Sequence, residues 1–144
     1  MILISHRGNI GGPNKKFENE PEYILLAIKN GFHVEIDVWL LESNGFYLGH
    51  DYPKIPININ FLKNEKLWCH AKNLEALTLM LNNNIRCFWH ENDRYTITSN
   101  GYIWAYPDKK VNSKSIAVCK NKQQTKKNYK LDIYGICSDY VGIL

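Results

Sequence analysis

The chain has 144 residues, 44% apolar and 22% charged, with 18 Lys and Arg against 14 Asp and Glu for a net charge of +4. This is an ordinary globular composition, long enough for one domain (residues 1–144) with a single core, and it excludes a disordered chain. No run approaches the roughly 20 apolar residues of a membrane span. The start, Met1 to Arg7, lacks a basic segment followed by a long apolar stretch, so no signal peptide is expected.

Ile2 to Ser5 reads as a buried strand running into a polar, glycine-rich loop from His6 to Asn14. Pro21 to Asn30 reads as a helix, with Pro21 in its first turn, Tyr23, Leu26, Ala27 and Asn30 at helical spacing, and Gly31 as the stop. Phe32 to Trp39 is the next strand, and Gly45 to Gly49 its return strand across a turn at Ser43-Asn44-Gly45. Lys66 to Ala71 is a strand, Leu74 to Leu81 a helix capped by Asn73, and Ile85 to His90 another strand. Tyr95 to Thr98 and Tyr102 to Tyr106 flank the turn Ser99-Asn100-Gly101. Ser115 to Cys119 and Tyr134 to Ser138 complete the series.

Strands alternating with helices in the first half predict parallel βαβ units. The second half has too few residues between strands for a helix each time, and a full eight-fold barrel takes about 250 residues. The expected fold is therefore a reduced TIM-type (β/α) barrel lacking several outer helices.

From Lys109 to Lys130 the chain carries eight lysines and no Asp or Glu. This stretch is either a solvated surface or a face for anionic partners. The four cysteines, Cys69, Cys87, Cys119 and Cys137, form no C-x-x-C pair and sit in apolar, strand-like runs. They argue against a zinc ribbon and for a reducing compartment, so a cytoplasmic location is expected.

Chemistry-bearing residues gather at predicted strand ends: His6-Arg7, Glu35 and Asp37, His50-Asp51, His70 and Lys72, and His90-Glu91. In a parallel barrel those ends share one face, where active sites are built. Glu35 and Asp37, two apart in a strand, project to the same side. Buried there, they need a cation such as Mg²⁺ or Ca²⁺, or ion pairs with Arg7 or Lys72. Lys72 suits either a phosphoryl group or such a salt bridge. His6 and His50 suit acid–base work, because imidazole titrates near neutrality.

His6-Arg7-Gly8, Glu18-Asn19, Glu35-Ile36-Asp37-Val38 and Gly49-His50-Asp51 together resemble, in order and spacing, the HRG, EN, E-x-D-V and HD signature of the glycerophosphodiester phosphodiesterase family, within the phospholipase-C-like phosphodiesterases. The terminal Gly135 to Tyr140 resembles that family's closing strand, with Asp139 before an aromatic. The resemblance is specific over residues 2–51 and weaker beyond. It implies a TIM-type barrel, a divalent cation (Mg²⁺ or Ca²⁺) on Glu35 and Asp37, paired catalytic histidines at His6 and His50, and phosphate binding by Arg7 and Asn19. Asn19 also reads as a plain helix-start residue.

Where the family has E-x-K, this chain has His70-Ala71-Lys72. Either His70 ligates the metal, or Glu91 substitutes from the next strand, or water fills the position. An imidazole ligand shifts preference towards Mn²⁺ or a later metal. The expected function is metal-dependent hydrolysis of a small-molecule phosphodiester, with a non-catalytic phosphate- or lipid-headgroup-binding module as the alternative. Nucleic-acid binding through the lysine-rich stretch, with Tyr129 and Tyr134 stacking, is a weaker reading and is not expected. Tyr47, Trp89, Trp104 and Tyr106 either line a substrate pocket or belong to the core.

Overall fold

The structure, a computed structural model, describes residues 1–41 and 45–144. Ser43 and Asn44 of the expected hairpin turn lie outside the described residues. Ten strands form one mixed sheet: β1 (Ile2–His6), β2 (His33–Leu41), β3 (Gly45–Leu48), β4 (Ile55–Ile57), β5 (Leu67–Ala71), β6 (Cys87–Phe88), β7 (Tyr95–Ile97), β8 (Ile103–Ala105), β9 (Ser115–Cys119) and β10 (Gly135–Ser138). Among the described residues four α-helices accompany it: α1 (Pro21–Lys29), α2 (Ile59–Leu62), α3 (Leu74–Asn82) and α4 (Lys122–Asn128).

Strands β6, β5, β2, β1, β10, β9 and β8 are successive parallel neighbours. β3 pairs antiparallel with the second half of β2, β4 with β3, and β7 with β8. The expected reduced TIM-type barrel is therefore incorrect: the sheet is open and mixed, with no ladder joining β6 to β7 among the described residues. The reason lies in the short connections. Between β7 and β8 only a tight turn fits, which forces an antiparallel pair, and β6 is two residues long. Its Cys87 amide donates to the Ser99 hydroxyl, and Ser99 N–H donates to the Cys87 carbonyl, so a single residue substitutes for a strand partner.

Alternation along β2 divides the molecule. Val34, Ile36 and Val38 face α1 and α3, where they join Ile24, Ala27, Ala76 and Met80 in the main core. The other side of the sheet carries Ile4, Trp68, Phe88, Trp104, Ile116 and Cys137. Trp68 on β5 lies 6.1 Å from Trp104 on β8, and Phe88 on β6 stacks 4.3 Å from Trp104, centroid to centroid. These strands are far apart in the ladder, so the sheet curls over an aromatic filling.

The helices begin as their sequences direct. Asn73 caps α3 by accepting from Ala76 N–H, and its side chain also bonds both backbone groups of Leu40. Asn121 caps α4 through Gln124 N–H. This helix falls inside the lysine-rich stretch, where no apolar periodicity marks it; Thr125 is its buried residue and bonds Ser138 of β10.

Candidate active site

The ends of the parallel strands carry the site. Register places His6 beside Glu35 and Asp37 beside His70, so three strands present these groups in adjacent rows. They open into a cavity of about 400 Å³ whose wall includes His6, Arg7, Glu35, His50, His70 and Lys72.

His6 is anchored from the far end of the chain. Its Nδ1–H donates to Asp139 Oδ1 at 2.8 Å, which leaves Nε2 on the cavity side, 3.8 Å from Glu35 Oε2. Burial opposes a charge on His6, but the Asp139 hydrogen bond and the Glu35 charge outweigh it and raise the pKa above the ordinary value. Asn9 steadies this pair by donating to Asp139 Oδ1 and Glu18 Oε1.

Arg7 adopts φ of 55°, a left-handed conformation that an L-residue keeps only when its surroundings demand it. Here the demand is threefold. Its N–H donates to the Glu35 carbonyl, its carbonyl accepts from Asn19 N–H, and its Nε contacts Asp37 Oδ2 at 2.8 Å. Gly8 follows at φ of 94°, where a β-carbon would meet the Tyr23 ring at 2.6 Å.

Asp37 is fully buried at the centre of these contacts. Asn19 donates to its Oδ2 and accepts from its backbone N–H, both at 3.0 Å. His70 Nδ1 lies 3.3 Å and Lys72 Nζ 3.6 Å from its Oδ1. Burial alone would raise the Asp37 pKa, but His70, Arg7 and Lys72 hold it well below the carboxylate range. The same contacts act in reverse on His70: against burial, Asp37 and Glu35 push its pKa up to about 9.

One ligand atom from each of Glu35, Asp37 and His70 falls within 4.8 Å of the others. Glu35 Oε2 and Asp37 Oδ1 are buried and accept no hydrogen bond of good geometry: His6 Nε2 stands 3.8 Å from the first, and His70 Nδ1 and Lys72 Nζ stand 3.3 Å and 3.6 Å from the second. Buried carboxylate oxygens paired only at such distances are costly, and a divalent cation would satisfy both. The residues fit such an ion, and a mixed oxygen–nitrogen set would suit Mn²⁺ better than Mg²⁺ or Ca²⁺. Glu91 lines the same cavity but is not in the cluster.

The remaining groups divide in an informative way. His50 reaches the cavity wall with its side chain 44% exposed and its Nδ1 2.7 Å from Asp51 Oδ1. It is presented by Gly49, whose carbonyl accepts from Trp39 Nε1–H. Asn19 does not line this cavity; its side chain is spent on Asp37. Trp89, Trp104 and Tyr106 line it, whereas Tyr47 does not. Asp139, Asn9 and Lys120 are site residues to which residue-type patterns assigned no role. The position of Asp139 and Lys120 just beyond β10 and β9 marks them, the same signal that marks His6, and Asp139 also stands in the segment that resembles a closing strand.

No family model, curated protein or solved structure matches this chain.

Proposed function

We propose that the chain is a metal-dependent phosphodiesterase whose site works like that of the glycerophosphodiester phosphodiesterases, carried on an open mixed sheet. The observation that carries this reading is the approach of Glu35, Asp37 and His70 to within 4.8 Å at a cavity that also holds His6, Arg7 and Lys72. The ion pairs to Glu35 Oε2 and Asp37 Oδ1, at 3.3–3.8 Å, leave both oxygens without a close donor, which a bound cation would supply.

A divalent cation held by Glu35, Asp37 and His70 would supply Lewis-acid polarisation of the phosphoryl oxygens. Arg7 and Lys72 add positive charge on the same side, offsetting the charge that develops as the phosphorus is attacked. One of His6 and His50 takes the proton of the attacking hydroxyl through its imidazole nitrogen. The other gives a proton to the departing alcohol oxygen as the P–O bond breaks. Asp139 keeps His6 in the tautomer whose Nε2 faces the cavity.

A second reading, a non-catalytic phosphate- or headgroup-binding module, draws on one observation. With its pKa near 9, His70 carries a charge in the absence of a metal and itself neutralises Asp37. Cleavage of glycerophosphocholine and bis(p-nitrophenyl) phosphate separates the two. Turnover that chelator abolishes, Mn²⁺ or Mg²⁺ restores, and Glu35→Ala removes is the expected result. No turnover with any cation, or folded His6→Ala and His50→Ala proteins that both keep normal rates, would sink the catalytic reading. Among the described residues no helix is long and apolar enough to cross a membrane, and four buried free thiols support a cytoplasmic location.

A further inference from the structure

Helix α1 turns Ile24 and Ala27 into the main core and a second face to solvent. That face carries Glu22, Leu25, Leu26 and Lys29, all exposed, with the leucines at 48% and 51%. Beside it runs a largely apolar groove of about 590 Å³, bounded by Phe17, Tyr23 and Leu26 and edged by Glu20 and Glu22. Phe17 is itself 43% exposed. Lone exposed leucines are ordinary on a protein surface, whereas adjoining ones next to an open aromatic ring mark a contact face. Glu20 is held by Lys54, but neither Glu22 nor Lys29 has an ion-pair partner within the chain among the described residues.

The order of these residues is its own complement. When two copies of α1 pack antiparallel about a two-fold axis between positions 25 and 26, Leu25 meets Leu26 of the second copy and Glu22 meets its Lys29. Each unpaired charge then gains an opposite one, and the two helix dipoles run antiparallel. The groove fits the same occupant. Leu25 and Lys29 lie one turn apart, an apolar group followed by a cation on a long apolar stem. A groove of apolar surface edged by the unpaired Glu22 carboxylate accepts that strip from a second copy. We infer that α1 is a self-association face, on which a second copy of this chain docks its own α1 about a two-fold axis. None of Glu22, Leu25, Leu26 and Lys29 lines the site cavity, so the pairing stands apart from the phosphodiesterase reading. A helix of nine residues makes a small contact. It falls below the roughly 1,200 Å² of a standard stable interface, so a dissociation constant of about 10–100 µM is expected.

The test is sedimentation equilibrium of the full chain from about 5 to 500 µM, a range that brackets the expected constant. The parent should pass from monomer to dimer, and Leu26→Lys should stay monomeric throughout. Glu22→Lys and Lys29→Glu should each weaken the dimer about tenfold or more, because the two-fold axis repeats every like-charge contact. An equimolar mixture of these two variants should associate as tightly as the parent, since every pair again joins opposite charges. The double variant Glu22→Lys/Lys29→Glu should also dimerise, although both its charges oppose the helix dipole and it melts lower. If Glu22 and Lys29 served the helix dipole alone, the mixture would recover nothing. A parent that is monomeric at every concentration, a dimer indifferent to all of these substitutions, or a mixture that does not recover overturns the pairing. So does a dimer kept by Leu26→Lys and lost in Ile97→Lys, which would place the contact at β7, where Ile97 is 73% exposed.

Discussion

His6, at the end of the first strand, and Asp139, just past the last, are joined by a 2.8 Å hydrogen bond across 133 positions of sequence. Because β1 and β10 are parallel neighbours, their ends coincide and the two side chains meet at the mouth of the cavity. In Asp139→Asn the imidazole loses its anionic partner, so its pKa falls from the raised value. The expected loss in kcat is about 10- to 100-fold, typical for removing a group that orients a working imidazole. The limb of the pH–rate profile that reports His6 should also move to lower pH, while KM changes little. An unchanged profile would show that Asp139 serves structure alone.

Metal binding should release a proton. Without a cation, His70 has a pKa of about 9 and is charged at neutral pH, whereas a metal-ligating imidazole is neutral. Apparent affinity for Mn²⁺ should therefore rise about tenfold per pH unit from pH 7 towards 9. Calorimetry in buffers of different ionisation enthalpy reads the proton directly; a buffer-independent heat would rule it out. The linkage has a second consequence in the metal-free chain. Since the folded pKa is raised, stability from the His70 ion pairs is complete below about 6.5. It is lost as pH rises through about 9.

His70→Glu should reverse the metal preference. A third carboxylate oxygen suits Mg²⁺ and Ca²⁺ better than an imidazole does. Without metal it adds a negative charge beside Glu35 and Asp37. The variant should melt lower than the parent in chelator and gain more on addition of Mg²⁺. Thermal shifts with EDTA, Mg²⁺, Ca²⁺ and Mn²⁺ provide the comparison, and equal gains in both proteins would count against these residues as the ligand set.

Gly49→Ala tests how His50 is delivered. Gly49 has φ of 151°, and a β-carbon there would collide with the Tyr52 carbonyl oxygen. The loop must shift, at a cost of about 1–3 kcal/mol for the strained backbone. Activity should fall with stability, since His50 follows directly. A urea midpoint and a rate equal to the parent's would mean that the loop rearranges freely.

Trp68→Ala should be the most damaging substitution outside the site. Trp68 is completely buried, touches Trp104, Tyr102 and Tyr134, and has Arg86 4.4 Å over its ring. A cost of about 3–5 kcal/mol is expected from urea unfolding. A loss below about 1 kcal/mol would mean that the curled half of the sheet does not depend on this filling.

The sequence by itself determined which residues would meet at the strand ends. A period of two places Glu35 and Asp37 on one side and Val34, Ile36 and Val38 on the other, whatever the sheet's final form. Helix α1, with Pro21 at its start, and α3, with Asn73 as its cap, were legible from local chemistry. So were His6, His70 and Lys72 as strand-end groups. Only the tertiary structure decided that the sheet stays open. That depends on whether distant strands exchange backbone hydrogen bonds, and the pairing of Cys87 with Ser99 is not written into either segment alone. The same holds for Asp139 as the partner of His6 and for α4 inside a lysine-rich run. Local sequence sets side-chain direction; register between remote strands follows from how Trp68, Phe88 and Trp104 fill the space between them.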